Sequence, residues 1–351
     1  MTTRIGIIGC GFITMLHSRA LKGLVDAQLV DAAVVGACDV DLDRAQRVAQ
    51  AHGADVATTD PAALLADVDA VWICTPTVSH RELVEAAAAA GVAIFCEKPL
   101  AFTAEDAAAM ATAAASVPSQ VGLVLRTSPV LGAMRDLVQS GDLGAPMAVV
   151  FRDDQYLPNQ GQYASEWRAD VAIAGGGTLI EHSIHDLDVL RWILGDATSV
   201  SARTSNHAGH AGIEDVAVAT ITFESGAVAT LTSVWHQILT RPSTRALEVI
   251  CERGIVALAP DGNEFTGPLH LVSDERTDAW PVAQPDWVLD LPIAEPWRTY
   301  AGMYAPQARA FLDSLAAGAT PAPSLDVAVA AHRLADAVYR SAATGGAPVT
   351  P

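Results

Sequence analysis

Three stretches of this sequence carry residue types and spacings that could do chemistry. The first is Glu97-Lys98-Pro99, directly after the apolar run Val92–Cys96. Pro99 restricts Lys98 to an extended conformation. Its ammonium is then held at the end of a strand, where it can hydrogen-bond a reacting oxygen and favour a developing alkoxide. The second is the segment from Gly175-Gly176-Gly177 through Glu181, His182, His185 and Asp186 to Asp188. Glu181 and His185 are four apart and share a face if the segment is one helix. A carboxylate beside an imidazole orients it and raises its basicity, which suits a general acid–base. The bland alternative is an acidic helix start favoured by the dipole. Glu181, His182 and His185 also invite a metal reading, but beyond His182 and His185, three apart, no third ligand is spaced convincingly, so no metal is expected.

The third stretch is Gly9-Cys10-Gly11-Phe12-Ile13-Thr14. Gly9 suits a tight turn, and Gly11 lets the backbone approach a diphosphate. The helix opening at Phe12 and Ile13 offers free N–H groups and a positive dipole end. Thr14 stands where such turns carry Gly or Ala, which demands more room between helix and strand. Asp39 closes Val35-Gly36-Ala37-Cys38-Asp39, where a carboxylate accepts hydrogen bonds from ribose hydroxyls. Val40 and Asp41 follow it, and Arg44 is the cation nearby, so NAD is favoured over NADP. Cys74-Thr75-Pro76 follows Val71–Ile73 and belongs to the same carboxyl edge. Ser79 is the expected cap of the next helix; His80 is a helix-start residue or a cofactor contact.

These residues need a frame that brings strand ends together. The first third supplies one by alternating β-like runs (Arg4–Ile8, Ala33–Cys38, Ala70–Cys74, Val92–Cys96, Gln120–Val124) with helical stretches (Met15–Leu24, Leu42–His52, Ser79–Ala90, Ala104–Ser116). Such alternation predicts a doubly wound parallel sheet covered on both faces. After about Gly122 the rhythm changes. Helices are expected at Pro129–Ser140, Glu181–Leu194, Pro306–Ala317 and Leu325–Ala343. Strands are expected at Ala148–Tyr156, Ser199–Thr204, Ala217–Phe223, Ala227–Trp235, Ala246–Cys251 and Ile255–Leu258. Tight turns between consecutive strands predict a mostly antiparallel sheet. The fold class is therefore α/β: a Rossmann domain over 1–122 and a second α/β domain over 123–351, whose terminal helix packs back on the first.

Composition narrows the partners. The 351 residues are 51% hydrophobic and 17% charged, which suits two globular domains. A formal charge of −19 repels nucleic acid and anionic lipid. Neither nucleic acid nor membrane is an expected partner. The five cysteines form no CxxC pair and read as buried hydrophobes of a reducing compartment. The start MTTRIGIIGCG is too short and glycine-rich for a signal sequence, so a cytoplasmic location is expected.

Taken together, GIIGCGF with His17, the triplets Cys74–Pro76 and Glu97–Pro99, and GGG followed by His185 and Asp188 resemble the glucose–fructose oxidoreductase / inositol dehydrogenase (Gfo/Idh/MocA) family over nearly the whole chain. The resemblance implies an N-terminal Rossmann domain and a C-terminal domain with a large open sheet that mediates homo-dimers or homo-tetramers. It implies that Lys98 contacts substrate oxygen and nicotinamide, and that His185 is the catalytic acid–base. Glu181 stands where many relatives have Asp. Trp167 and Arg168 resemble a segment near cofactor and substrate, and Arg126 a basic position near the pocket. Tyr304 resembles an aromatic position that sometimes borders substrate, although plain packing is the preferred reading for it. Gln155, Tyr156, Arg168 and Asp186 are candidate partners for substrate hydroxyls. The expected activity is NAD-dependent oxidation of a secondary carbinol in a sugar, inositol or related polyol. The rivals are a redox-neutral lyase or glycosidase with tightly bound NAD, a non-catalytic NAD-binding regulator, and an NADP-linked carbonyl reductase.

Overall fold

The computed structural model describes residues 2–260, 263–274 and 277–351. The described chain divides into two compact units. The first comprises residues 1–101, 105–124 and 285–329. Its sheet has six strands: β1 (Thr3–Ile8), β2 (Ala32–Cys38), β3 (Val56–Thr58), β4 (Ala70–Ile73), β5 (Ala93–Cys96) and β6 (Ser119–Val121). They lie in the order β3-β2-β1-β4-β5-β6, all parallel. Every residue of β4 and β5 is buried, because alternate side chains enter two separate cores. On one face Val71, Ile73, Ile94 and Cys96 pack with Leu83, Val84, Ala107 and Met110. On the other, Trp72 and Phe95 pack with Leu21 and Leu24 of the helix Phe12–Asp26 and with Phe311 of the helix Trp297–Ala317.

The alternation read from the sequence is present, with two additions and some moved ends. Strand β3 and the helix Pro61–Leu65 were not expected. The helix placed at Ser79–Ala90 spans His80–Ala89, and the Ser79 side chain makes no capping hydrogen bond. A short 3₁₀ turn over Thr77–Ser79 already leads the chain into it. The helix expected to start at Pro306 begins at Trp297 and carries Pro306 inside it.

The second unit comprises residues 102–104, 125–284 and 330–351. Its sheet has eight strands: β7 (Pro146–Tyr156), β8 (Ala197–Ser205), β9 (Val216–Phe223), β10 (Val228–His236), β11 (Thr244–Cys251), β12 (Gly254–Leu258), β13 (Leu269–Ser273) and β14 (Thr277–Trp280). The order is β14-β13-β12-β11-β7-β10-β9-β8, and only β7 and β10 pair in parallel. Burial alternates along β9 and β10, as expected for a sheet covered on one face. Two α/β units, one with a parallel sheet and one with a mostly antiparallel sheet, match the expected fold class. Among the described residues no helix is long and apolar enough to cross a membrane.

Candidate active site

In the first unit the glycine turn, the end of β2 and the loops after β4 and β5 gather at the carboxyl edge of the parallel sheet. Gly9 has a φ of +86°, and a Cβ there would stand 2.7 Å from the Cys74 carbonyl carbon and the Thr75 nitrogen. Both constraints require glycine. Gly11 caps the helix Phe12–Asp26 without a side-chain hydrogen bond, and nothing lies within 4 Å of where its Cβ would be. Open space beside an uncapped helix start fits a dinucleotide diphosphate. Ile13 packs into the core, whereas Phe12 is partly exposed. Thr14 is accommodated, not strained: it is fully buried and its hydroxyl donates to the Gly9 carbonyl, tying the turn to the helix.

Asp39 is nearly enclosed. Its carboxylate accepts from the Cys10 N–H at 2.6 Å and the Asp41 N–H at 2.9 Å. Arg44 holds Asp41, with Nε 3.3 Å from Oδ2. Burial raises the Cys10 thiol to about 12 and pushes the Cys74 thiol well up, so both are thiols at neutral pH. The buried His80 ring lies 2.9 Å from the Pro99 carbonyl through Nδ1 and 3.0 Å from the Thr75 carbonyl through Nε2. It thus links the loop after β4, which also carries Pro76, to the loop after β5. Glu97 faces inward: Oε1 is 2.7 Å from His17 Nε2, and Oε2 accepts the Lys98 N–H at 3.1 Å. The Lys98–Pro99 peptide is cis. Tyr304 packs edge-on against His17, with ring centroids 4.9 Å apart.

In the second unit the helix expected over Glu181–Leu194 is broken. A short helix, Thr178–Glu181, ends at His182, and a new helix runs Ile184–Leu194. The His182 and Ser183 N–H groups both reach back to the Thr178 carbonyl, while the Ser183 hydroxyl bonds Ser233 at 2.6 Å. Glu181 and His185 therefore do not share one helix face. Glu181 instead accepts from Arg168 Nε at 2.9 Å, and the Arg168 guanidinium lies 4.2 Å over the Trp167 ring. His185 is buried in the first turn of the second helix. Arg126 makes a two-pronged pair with buried Asp188, Nε to Oδ2 at 2.7 Å and Nη2 to Oδ1 at 2.8 Å. Gln155 and Tyr156 end β7, both buried, and the Tyr156 ring lies 5.4 Å from that of Tyr163. Asp186 is wholly enclosed and accepts from Arg245 Nε at 2.8 Å.

Sequence reasoning missed two supports. Glu214, raised above the ordinary carboxylate range by burial, accepts from Gly177 N–H (2.8 Å), Leu179 N–H (3.0 Å) and Tyr339 hydroxyl (3.0 Å). It seats the glycine segment, and a Cβ on Gly177 would collide with the Glu214 carbonyl. Arg245 is the other, a cation on β11 whose side chain is 6% exposed and which stands directly opposite Asp153 of β7. The one available signal was an arginine and an acid inside runs that otherwise read as strands.

A parallel sheet with a glycine turn, a strand-end aspartate and an uncapped helix start defines a dinucleotide-binding domain. Residues 3–123 match the oxidoreductase family with an NAD-binding Rossmann fold, and residues 132–257 match the GFO/IDH/MocA C-terminal domain. The chain belongs to the Gfo/Idh/MocA family. It is 31% identical over 352 residues to inositol 2-dehydrogenase of Rhizobium meliloti, covering 98% of each chain. It is 30% identical to D-apiose dehydrogenase of Rhizobium rhizogenes, covering 97% of this chain and 95% of that one. The crystal structure of an oxidoreductase from Agrobacterium radiobacter in complex with NAD+, L-tartaric acid and magnesium superposes with a TM-score of 0.82. Identity there is 25%, covering 100% of this chain and 98% of that one.

Proposed function

We propose that this protein is an NAD-dependent dehydrogenase that oxidises a secondary carbinol of a sugar, inositol or related polyol. The observation that carries the reading is the end-to-end likeness to inositol 2-dehydrogenase, 31% identity across 98% of both chains. The assignment of NAD over NADP draws support from the acidic end of β2. A 2′-phosphate would meet the carboxylates of Asp39 and Asp41, and the Arg44 guanidinium is already engaged by Asp41.

Bound NAD supplies the hydride-accepting ring carbon. The Gly9–Ile13 turn would hold the diphosphate and Asp39 the ribose, and the Cys74–Pro76 loop with His80, Glu97 and Lys98 would complete the cofactor edge. Lys98 donates a hydrogen bond to the carbinol oxygen and favours its alkoxide character. A ring nitrogen of His185 takes the hydroxyl proton and returns it in the reverse reaction. Arg168, held by Glu181, with Gln155 and Tyr156, binds the remaining hydroxyls. Asp186, with one oxygen on Arg245, acts from behind the site. In this reading residues 1–122 bind the dinucleotide, and 123–351 bind substrate and assemble homo-dimers or homo-tetramers. Val150, Val218, Val228 and Val272 support that assembly: by strand register they share one face of the eight-stranded sheet, and all are exposed. Five unpaired cysteines support a reducing, cytoplasmic location.

A panel of inositols, other polyols and aldoses with NAD+ tests the function by NADH absorbance. At least one inositol or sugar should give stoichiometric NADH. Product formed without net NADH would replace the reading with a redox-neutral one.

A further inference from the structure

His17 is wholly buried on the helix Phe12–Asp26, and packing alone does not call for a histidine there. Its ring stands edge-on to Phe95 and to Tyr304, with centroids 5.2 and 4.9 Å apart. A hydrocarbon side chain would suit those neighbours as well. Among the described residues Nδ1 has no hydrogen-bond partner, a cost that such a side chain would not carry. The polarity of the ring acts through Nε2, which lies 2.7 Å from Glu97 Oε1. A carboxylate accepts at both oxygens, so His17 supplies the hydrogen.

Glu97 is gripped from several sides. Its N–H donates to the Ile73 carbonyl at 2.9 Å, which ties the end of β5 to β4. A Cβ on Gly122 would stand 2.6 Å from Glu97 Oε1, so the carboxylate fills space that a side chain at 122 would claim. Oε2 accepts the Lys98 N–H at 3.1 Å. Beyond Lys98, His80 Nδ1 lies 2.9 Å from the Pro99 carbonyl. The main chain is thus bonded to a side chain on either side of Lys98, and the upstream bond comes from a carboxylate that His17 fixes.

We propose that His17 is a positioning residue for the dehydrogenation: by holding the Glu97 carboxylate against the Lys98 N–H, it fixes the main chain from which the Lys98 side chain reaches the carbinol oxygen. It rests on the role given to Lys98 above. Without the Nε2 donor, the carboxylate leaves its place beside Gly122 and releases the Lys98 N–H. The glycine turn and Asp39 are anchored at other strand ends, so dinucleotide binding survives while Lys98 loses its aim. A misplacement of about 1 Å at a reacting group lowers turnover steeply.

The sequence has two lysines, Lys22 and Lys98, so full-length protein carrying isotope-labelled lysine gives two main-chain amide signals. Lys22 sits on the same helix as His17 and reports whether that helix loosens. Hydrogen exchange at both amides is followed by NMR in wild type, His17→Leu and His17→Gln. Glutamine places an N–H close to where Nε2 stands, and leucine has none. His17→Leu should speed exchange at Lys98 by about tenfold or more with Lys22 unchanged, and His17→Gln should restore most of the protection. Unmoved exchange at Lys98, equal acceleration at both lysines, or a glutamine no better than leucine overturns the proposal. On a polyol that the wild type oxidises, His17→Leu should lower kcat by about tenfold or more while KM and NAD affinity hold within about twofold. An unchanged kcat overturns the positioning role. Should His17→Leu fail to fold, Gly122→Ala replaces it. Its methyl displaces the carboxylate from the other side, so exchange at Lys98 must rise, and unmoved exchange overturns the grip. The exchange readout needs no turnover, so a protein inactive on every polyol would count against the functional reading alone.

Discussion

Replacing Arg126 by methionine should destabilise the protein by about 3–5 kcal/mol in mildly alkaline solution and far less in acid. Arg126 meets Asp188 through two bonds of 2.7 and 2.8 Å, and the Asp188 side chain is 1% exposed. Methionine keeps much of the apolar stem but leaves a buried carboxylate without its two-pronged partner. Burial already holds Asp188 above the ordinary carboxylate range, with Arg126 opposing the shift. A carboxyl raised on folding binds more protons in the native state than in the unfolded one. Its contribution to stability therefore falls as pH rises from the ordinary value to the raised one. Removing Arg126 raises the folded value further, at about 1.4 kcal/mol per unit. The cost of the substitution thus grows with pH. In acid, where Asp188 is protonated in both states, about 1 kcal/mol of lost hydrogen bonding remains. Urea unfolding of both proteins at about pH 3, below the ordinary carboxylate value, and at about pH 8, followed by tryptophan fluorescence, reads the difference, since Trp192 lies 5.5 Å from the Arg126 guanidinium. Equal losses at the two pH values, or a loss below about 1 kcal/mol in alkali, would refute this reasoning.

Three further outcomes follow from the same geometry. Asp39→Ala should weaken NAD binding by about tenfold or more and narrow the preference over NADP, read by fluorescence titration of both cofactors. Thr14→Val keeps the buried volume but loses the bond to the Gly9 carbonyl, so about 1 kcal/mol of stability should go, measured by urea unfolding. Gly177→Ala drives a methyl into the Glu214 carbonyl and must displace the segment before Glu181, so turnover should fall by about a hundredfold or more while NAD affinity holds.

The parts of the fold that rest on local pattern were legible in the sequence. The glycine turn, the continuous apolar runs of β1, β4 and β5 and the alternation along β9 and β10 each announce their element. What escaped depends on tertiary bonds. Strand β3 is three half-buried residues at a sheet edge, too short for any periodicity. The break at His182-Ser183 carries no glycine or proline; it comes from hydrogen bonds to Thr178 and Ser233, residues that sequence spacing does not connect. Pro306 reads as a helix start because proline favours the first turn, yet the packed helix extends nine residues ahead of it. Among the candidate site residues, Lys98 and His185 are singled out by type and neighbours. Glu214 and Arg245 were not, since a buried charge is recognisable only once its partners are in place.

The proposed chemistry assigns hydride transfer from a carbinol to a site carried by Lys98 and His185. The decisive measurement is the steady-state kinetics of Lys98→Ala on whichever polyol the panel reveals, with NAD affinity measured on the same preparation. kcat should fall by about a hundredfold or more, with NAD still bound. Full turnover by a variant that binds NAD normally would contradict it.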